Sequence, residues 1–463
     1  MPITAIVLAA GEGTRMKSRH PKVMHKLLDR PLVGWAVRSA QDAGADRTIV
    51  VVGSGADEVR AYLGTLDGVE SVEQTRRLGT GHALKTALEA TDVSEGTVVV
   101  LYGDSPLLRG ETVRALVDRV ENGGEAACVL TMEPPDPTGY GRVDFDDDGQ
   151  VRAIIEHKDC TEEQRGRLRE CNSGVYAFDA RELRRHIGEI GNDNVQGEYY
   201  LTDMVEILRR TGLAVAAVHC DDYSELLGVN SRVQLAQATK VMQHRINEAH
   251  MEAGVTMVDP DSVWIGPDVT IGQDTVIWPG CYLLGHTTVG AECTVGPDSR
   301  LVDATVGDNV LLDETIVVSS TVDDDVHCGP RAYLRGGAHF MRGSKAGTHV
   351  EIKGSTVGEG SKVPHLSYIG DATLGKGVNV GGGSITCNYD GKHKSRTEIG
   401  DHVFIGSDTM MVAPVTIGEG ALIGASSCIT KDVPAGALAL ERSRQYISEG
   451  WATEYFKKLE EED

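Results

Sequence analysis

Two different periods divide the chain. Up to about residue 230, short uninterrupted apolar runs alternate with stretches of helical spacing. Residues 3–8, 48–52 and 97–102 are apolar enough for strands buried on both faces, while 32–43 and 84–90 carry the 3.6-residue spacing of amphipathic helices. Strands separated by helices in this way predict βαβ units and a mostly parallel, doubly wound α/β sheet. Ligands of such sheets sit beyond the carboxyl ends of the strands, so the loops after Leu8, Val52 and Tyr102 are where chemistry is expected.

A polar stretch with an apolar side made of Val233, Leu235, Val241, Met242 and Ile246 predicts a connecting helix over 231–252. Beyond Val255 the period changes to six. Ile265, Ile271, Ile277, Leu283, Val289, Val295 and Leu301 follow one another at that spacing, with glycine next at 266, 272, 290 and 296. Leu334, Phe340, Ala346 and Ile352 keep the period, and Ile399, Ile405, Met411, Ile417, Ile423 and Ile429 restore it. A spacing of six fits neither a strand nor a helix. It is the hexapeptide pattern of a parallel β-helix, in which each short strand turns one aliphatic side chain inward and three strands close a coil of about eighteen residues, giving roughly ten coils here. The polar and basic segment 387–396 carries no inward aliphatic, so a loop leaves the wall there; such a loop either builds a site or is a tolerated insertion. The domain reading is 1–230, a linker helix 231–252, and a β-helix with its tail over 253–463.

Composition narrows the partners. Of 463 residues, 45 are Lys or Arg and 69 Asp or Glu, a formal net charge of −24. This argues against nucleic acid and anionic membranes as partners. The 55 glycines exceed the usual share of roughly 7% and point to many tight turns. Nine scattered cysteines without a CxxC pair argue for a reducing compartment and against a disulfide frame, and no apolar run reaches the ~18 residues of a membrane span. A cytoplasmic protein is expected.

The first strand runs into Leu8-Ala9-Ala10-Gly11-Glu12-Gly13-Thr14-Arg15-Met16, and then to Pro21-Lys22. Glycines allow backbone N–H groups to approach phosphate oxygens, and Arg15, Lys17, Arg19 and Lys22 form a basic stretch in an acidic chain. A tight strand-to-helix turn alone also uses such glycines. The segment resembles the signature of sugar-1-phosphate nucleotidylyltransferases, and so do Gly79-Thr80-Gly81-His82-Ala83, Tyr102-Gly103-Asp104, Gly139-Tyr140-Gly141-Arg142, Glu156-His157-Lys158-Asp159, Asn172-Ser173-Gly174 and Gly228-Val229-Asn230. With a hexapeptide solenoid on the same chain, the match narrows to the family of bifunctional N-acetylglucosamine-1-phosphate uridylyltransferases and glucosamine-1-phosphate acetyltransferases. It covers nearly the whole chain, from Ile3 to about Arg442.

The resemblance implies a Rossmann-like nucleotidyltransferase domain and a left-handed parallel β-helix. In the first, uridine would lie against Leu8, Ala9 and Gly11, with Gln74, Gly79 and Thr80 reading its base. Gly141, Glu156, Asn172 and Tyr102, beside Gly103, would hold the sugar. Asp104 and Asn230 would share one Mg²⁺, an ion that prefers hard oxygen ligands. The phosphate of N-acetylglucosamine-1-phosphate would attack the α-phosphorus of UTP, with Arg15 and Lys22 stabilising the spread charge as pyrophosphate leaves. Glu12 stands where many relatives have Lys, and receives no role.

In the second domain, Arg335 and Lys353 would bind the phosphate of glucosamine-1-phosphate, with Tyr368 and Asn379 beside its sugar. His365 would be the general base for the amine, since imidazole titrates near neutral pH, and Glu351 would orient the imidazole or the amine. His339, His349 and His393 remain rivals for that role on sequence alone. A backbone N–H near Gly382, in a Gly381-Gly382-Gly383 run where relatives often have Ala in the middle, would face the oxyanion formed on acetyl-CoA. Asn388, Tyr389, Ser407, Ala425 and Arg442 would contact coenzyme A. The family implies a homotrimer sharing these sites, and the acidic end, residues 460–463, reads as a solvated tail. Two rivals are a monofunctional nucleotidylyltransferase with a structural solenoid and a non-catalytic scaffold. The cluster from His365 to Tyr389 speaks against the first, and Arg15, Lys22, Asp104 and Asn230 together against the second.

Overall fold

The computed structural model describes residues 1–53 and 55–462. The chain divides into two compact units, Met1–Arg245 and Ile246–Asp463. Among the described residues no helix is long and apolar enough to cross a membrane.

The first unit is built on a nine-stranded sheet. Its strands are β1 (Ile3–Ala9), β2 (Arg47–Gly53), β3 (Val69–Gln74), β4 (Thr97–Tyr102), β5 (Ala127–Met132), β6 (Arg142–Phe145), β7 (Val151–Ile155), β8 (Cys171–Asp179) and β9 (Val215–His219). The order is β9-β5-β8-β4-β1-β2-β3, with the β6–β7 hairpin attached through β8. β1 runs parallel to β2 and β4, β8 is antiparallel to its neighbours β4 and β5, and the β6–β7 hairpin is antiparallel within itself and to β8. Both faces of the sheet are covered. In β1, Ile3, Ala5 and Val7 enter one apolar cluster and Ile6 and Leu8 the other, which is why the run lacks alternation. The helix Leu32–Asp42 presents Val33, Ala36, Val37 and Ala40 to the sheet, and the helix Gly110–Gly123 stops at Gly124 in the left-handed conformation, φ 76°. β1, β3 and β4 all end on the same edge of the sheet, so the loops that follow them converge.

The connecting helix spans Arg232–Glu252. Its expected apolar side is only partly buried: Met242 is covered, but Val233 is 68% exposed, so Val233 does not belong to that face. Near its end Asn247 donates to the carbonyls of Pro260 (2.8 Å) and Val263 (2.9 Å), fixing the entry into the second unit.

The second unit is a triangular solenoid of parallel sheets with 11, 10 and 9 strands, the hexapeptide β-helix expected from the sequence. Among the expected inward residues, Ile265, Ile277, Leu283, Val295 and Leu301 are fully buried, as are Leu334, Phe340, Ala346 and Ile352; Ile271, near the open end, is half-buried. Between Leu301 and Leu334 the inward side chains are Val306, Leu312, Val317, Val322 and Cys328, where three steps contract from six residues to five, so the hexad was not legible there. Many corners are turned by non-glycine residues: Asp298, Asp303, Asn309 and Asp325 have φ of 51°, 49°, 54° and 61°. Gly272 serves a different purpose, because a Cβ there would stand 2.6 Å from the backbone of Ala291 in the next coil. The acidic end is part of a helix, Trp451–Glu462, with Trp451, Tyr455, Phe456 and Leu459 exposed along it; Asp463 lies outside the described residues.

Candidate functional sites

Each unit carries its own site. In the first, Leu8, Ala9, Gly11, Lys22, Gln74, Gly79, Thr80, Tyr102 and Asp104 line a cavity of about 300 Å³. Arg15, Tyr102, Asp104, Gly141, Glu156, Asn172 and Asn230 line a second one of about 410 Å³. Tyr102 and Asp104 belong to both, so the two cavities adjoin at the end of β4. Gly103 lies between them, its N–H bonded to the Leu8 carbonyl at 3.0 Å, where a Cβ would press on Ala9.

The loop after β1 is shaped around Lys22. Gly13 is left-handed (φ 63°) and any Cβ there would collide with the Lys22 side chain, so a glycine is required at that position. Lys22 is almost buried, and its ammonium meets the carboxylate of Asp104 and, at 2.9 Å, the amide oxygen of Asn230. Asn230 reaches this point because the Val229 N–H donates to the Asp104 carbonyl at 2.8 Å. Two hard oxygens therefore converge on one cationic position. That donor chemistry fits a divalent ion such as Mg²⁺, which takes one or two protein oxygens and completes its shell with phosphates and water.

Burial lifts the Glu156 carboxyl above its usual range, against the opposing effect of a 3.3 Å hydrogen bond from Thr202. Burial, with the nearby Asp104 and Glu156 charges, also raises the Tyr102 hydroxyl, keeping it a neutral donor. The Asn172 amide is engaged locally: its nitrogen donates to the Tyr176 hydroxyl (2.7 Å), and its oxygen accepts from the Gly174 N–H (3.0 Å). Arg15 is exposed at the rim.

Two residues at this site had no role in the sequence reading. Arg77 lines the first cavity and forms an ion pair with Glu12, the acid of the loop after β1. His82 touches Gln74. Arg77 was legible as a cation three positions after Gln74; nothing in spacing alone marks its pairing with Glu12.

In the solenoid, the parallel register stacks Tyr333, Glu351 and Tyr368 in one column and Arg335 and Lys353 in the next. Arg335 holds Glu351 at 2.7 Å and lies 5.7 Å from the centre of the Tyr333 ring; the Glu351 hydrogen bond raises its pKa further. Tyr368 folds back over Gly370, where a Cβ would strike its ring. Lys353 is paired with Asp371, which also accepts from the buried Asn388. Asp371 was missed, although one coil of about eighteen residues separates it from Lys353, and coil spacing places such residues side by side.

His365 is exposed at the corner between this wall and the one bearing Asn379. Gly382 lies against it: a Cβ there would come 3.2 Å from the His365 Cβ. Above them, Ser407, Ala425 and Arg442 follow the same edge. A Cβ at Gly381 would meet the Ser407 N–H, the Ser426 N–H donates to Ser407, and Arg442 donates to the Ala425 carbonyl at 3.1 Å. The expected loop is a short hairpin in which Tyr389 pairs with Lys394. Tyr389 is 60% exposed with its hydroxyl turned back to Gly391, and Arg442 is exposed.

Comparison with known proteins agrees with this division. Residues 5–161 match the family described as a MobA-like NTP transferase domain, and 268–302 and 396–431 match the bacterial transferase hexapeptide (six repeats). The "Bifunctional protein GlmU" of Caldanaerobacter subterraneus subsp. tengcongensis is 51% identical over 456 residues, covering 98% of this chain and 99% of that protein. Its namesakes in Heliobacterium modesticaldum (49% over 448 residues, 97% of each) and Streptomyces avermitilis (48% over 453 residues, 97% and 94%) are similar over the same span.

Proposed function

The chain belongs to the bifunctional GlmU family, an acetyltransferase and uridylyltransferase of UDP-N-acetylglucosamine synthesis, and we propose that the two sites described above each run one of its half-reactions. The solenoid acetylates glucosamine-1-phosphate with acetyl-CoA. The α/β unit then joins the product, N-acetylglucosamine-1-phosphate, to UTP and releases pyrophosphate. Both take place in the cytoplasm, where UTP and acetyl-CoA are available. The domain limits follow this division: 1–230 for uridylyl transfer, 231–252 as linker, 253–463 for acetyl transfer.

What supports the first assignment most is the meeting of Lys22, Asp104 and Asn230 at the junction of two adjoining cavities. UTP occupies the cavity under Leu8, Ala9, Gly11, Gln74, Gly79 and Thr80, and the sugar phosphate the one with Gly141, Glu156 and Asn172. The junction is then where a sugar-phosphate oxygen meets the α-phosphorus. Nucleotidyl transfer of this class works with a divalent metal, which we assign as Mg²⁺ held by Asp104 and Asn230; when bound it draws off negative charge from the phosphate oxygens. Lys22 then faces the phosphates as a cation, and Arg15 closes the rim. Glu156, half-buried and with its carboxyl lifted by burial, suits a sugar hydroxyl better than a phosphate.

In the solenoid, Arg335 and Lys353 supply the phosphate cations and Tyr368 and Asn379 flank the sugar. His365 takes a proton from the amine as its nitrogen attacks the thioester carbon; the C–S bond breaks and coenzyme A leaves as the thiol. The backbone at Gly382 faces the developing oxyanion. Asn388, Tyr389, Ser407, Ala425 and Arg442 receive coenzyme A, and a homotrimer brings the exposed Tyr389 and Arg442 into sites shared between solenoids.

A coupled assay tests the whole reading. With glucosamine-1-phosphate, acetyl-CoA, UTP and Mg²⁺, UDP-N-acetylglucosamine forms; omitting acetyl-CoA abolishes it, and N-acetylglucosamine-1-phosphate restores it without acetyl-CoA. Equal product from glucosamine-1-phosphate in the absence of acetyl-CoA would refute the acetyl-transfer half.

A further inference from the structure

Leu226, Gly228, Asn230 and Gln234 line the second cavity from one short stretch of chain, where the helix Arg232–Glu252 begins. Ser231 caps that helix: its carbonyl accepts from the Leu235 N–H at 2.9 Å, and its hydroxyl from the Gln234 N–H at 3.3 Å. In an ordinary capping box, the side chain at Gln234 would reach back to the N–H of the cap itself. Here it reaches one residue further. Its Oε1 accepts from the Asn230 N–H at 2.9 Å and from the Ser231 hydroxyl at 3.4 Å. A backbone N–H can only donate, so the amide oxygen is the end that faces Asn230. Among the described residues the NH₂ end has no hydrogen-bond partner.

Gln234 therefore stands one hydrogen bond from Asn230, and Asn230 meets Lys22 where the two cavities adjoin. That end of the second cavity is the one nearest the nucleotide, so a sugar phosphate entering it places its phosphate there. Capping does not account for a glutamine at this position. Glutamate completes the same box, and its charge is also favoured at a helix N-terminus. The cavity already holds the carboxylates of Asp104 and Glu156, and a third would repel an anionic ligand. An amide keeps the acceptor for Asn230 and offers N–H donors instead.

We infer that Gln234 is a phosphate-binding residue of the uridylyl-transfer site: its oxygen fixes the backbone of Asn230, and its NH₂ group donates to a phosphate oxygen of N-acetylglucosamine-1-phosphate. The inference rests on the reading that the second cavity takes the sugar phosphate. Both roles share one amide, so the bond that places Asn230 also orients the donor. Turning the amide over would set its oxygen against the phosphate and forfeit the bond to Asn230.

Steady-state kinetics of uridylyl transfer on the full chain, Gln234→Glu and Gln234→Met separate the two roles, with thermal unfolding measured alongside. Gln234→Glu keeps the acceptor for Asn230 and removes the donor. Its KM for N-acetylglucosamine-1-phosphate rises about tenfold or more, the effect of losing a hydrogen bond to a charged group. KM for UTP stays within about twofold, and the unfolding temperature stays parental, because the capping bonds survive. Gln234→Met, of similar length, has neither group; it raises the same KM and also lowers kcat, since Asn230 is released. A parental sugar-phosphate KM in Gln234→Glu overturns the inference and leaves Gln234 as a helix cap. A rise confined to UTP overturns it as well. Absence of uridylyl transfer in the parent chain would instead refute the reading on which the inference rests. Should Gln234→Glu fail to fold, Gln234→Met takes its place, and a parental sugar-phosphate KM there overturns the inference.

Discussion

Lys353 and Asp371 meet across one coil of the solenoid, the ammonium 2.8 and 2.9 Å from the two carboxylate oxygens. The same carboxylate accepts from Asn388 at 2.6 Å, and Asn388 in turn reaches the Tyr368 hydroxyl at 3.4 Å. One acid therefore sets the positions of three side chains assigned to acetyl transfer. The hydrogen bond and charge of Asp371 raise the Lys353 pKa, so the lysine is a fixed cation. Asp371→Ala releases Lys353 and leaves the buried Asn388 amide with only its 3.4 Å contact to Tyr368, a loss of about 1–3 kcal/mol. The expected result is a fall of at least tenfold in kcat/KM for glucosamine-1-phosphate, carried mainly by KM. Thiol release from acetyl-CoA measures it, and uridylyl transfer stays at the parental rate.

The position of His365 leads to a sharper separation of the two activities. It is exposed at a corner and Gly382 lies against its Cβ. As the general base, its removal in His365→Ala lowers kcat of acetyl transfer by about 10²–10⁴. Uridylyl transfer from N-acetylglucosamine-1-phosphate continues at the parental rate in the same preparation. A variant with full acetyl transfer would instead favour His339, His349 or His393, or a solenoid with no chemistry of its own.

Much of this was legible in the sequence because periodicity is a property of neighbours along the chain. The hexad located Ile265, Ile277 and Phe340 in the solenoid core, and unbroken apolar runs located β1, β2 and β4. Where steps contract to five residues, between Leu301 and Leu334, the same rule had nothing to follow. The terminal helix Trp451–Glu462 escaped because its exposed aromatics have no core to face and its acids read as a tail. At the sites, motif resemblance named Lys22, Asp104 and Asn230, yet their meeting depends on a backbone bond between Val229 and Asp104 that no local pattern encodes. Asp371, Arg77 and His82 were missed because each is the partner of another residue, and such pairings become visible only in three dimensions.

The Glu12–Arg77 pair yields a prediction for UTP binding. Glu12 places a carboxylate in the loop after β1, and Arg77, which lines the cavity beside that loop, neutralises it. Both side chains are substantially exposed, so the pair contributes little to folding. Its effect falls on the ligand: without Arg77, an uncompensated carboxylate faces a triphosphate. Arg77→Gln raises KM for UTP about three- to tenfold, with kcat nearly unchanged. Glu12→Gln in that background recovers most of the loss, and the recovery shrinks at 0.5 M salt, where such charges are screened. Equal KM values in the single and double variants would place Arg77 off the phosphate path.

The last prediction concerns pH and stability. Burial lifts the Asp203 carboxyl, at the start of the helix Asp203–Arg210, to about 6, with Glu206 and Asp159 adding to the shift. An unfolded chain releases that proton near 3.9. Between these values the folded state binds more protons than the unfolded one, so stability falls as pH rises through the window and stays lower above it. Asp203 is half-buried, so the cost at pH 7.5 is about 1–2 kcal/mol rather than the roughly 3 kcal/mol of the full shift. Asp203→Asn removes the charge and keeps the shape. The variant therefore unfolds at a higher temperature than the parent at pH 7.5, in the calorimetric transition of the α/β unit, and the advantage fades by pH 4.5 because the parental carboxyl is then protonated in the fold. An advantage that persisted undiminished at pH 4.5 would show that packing, not the charge of Asp203, had changed.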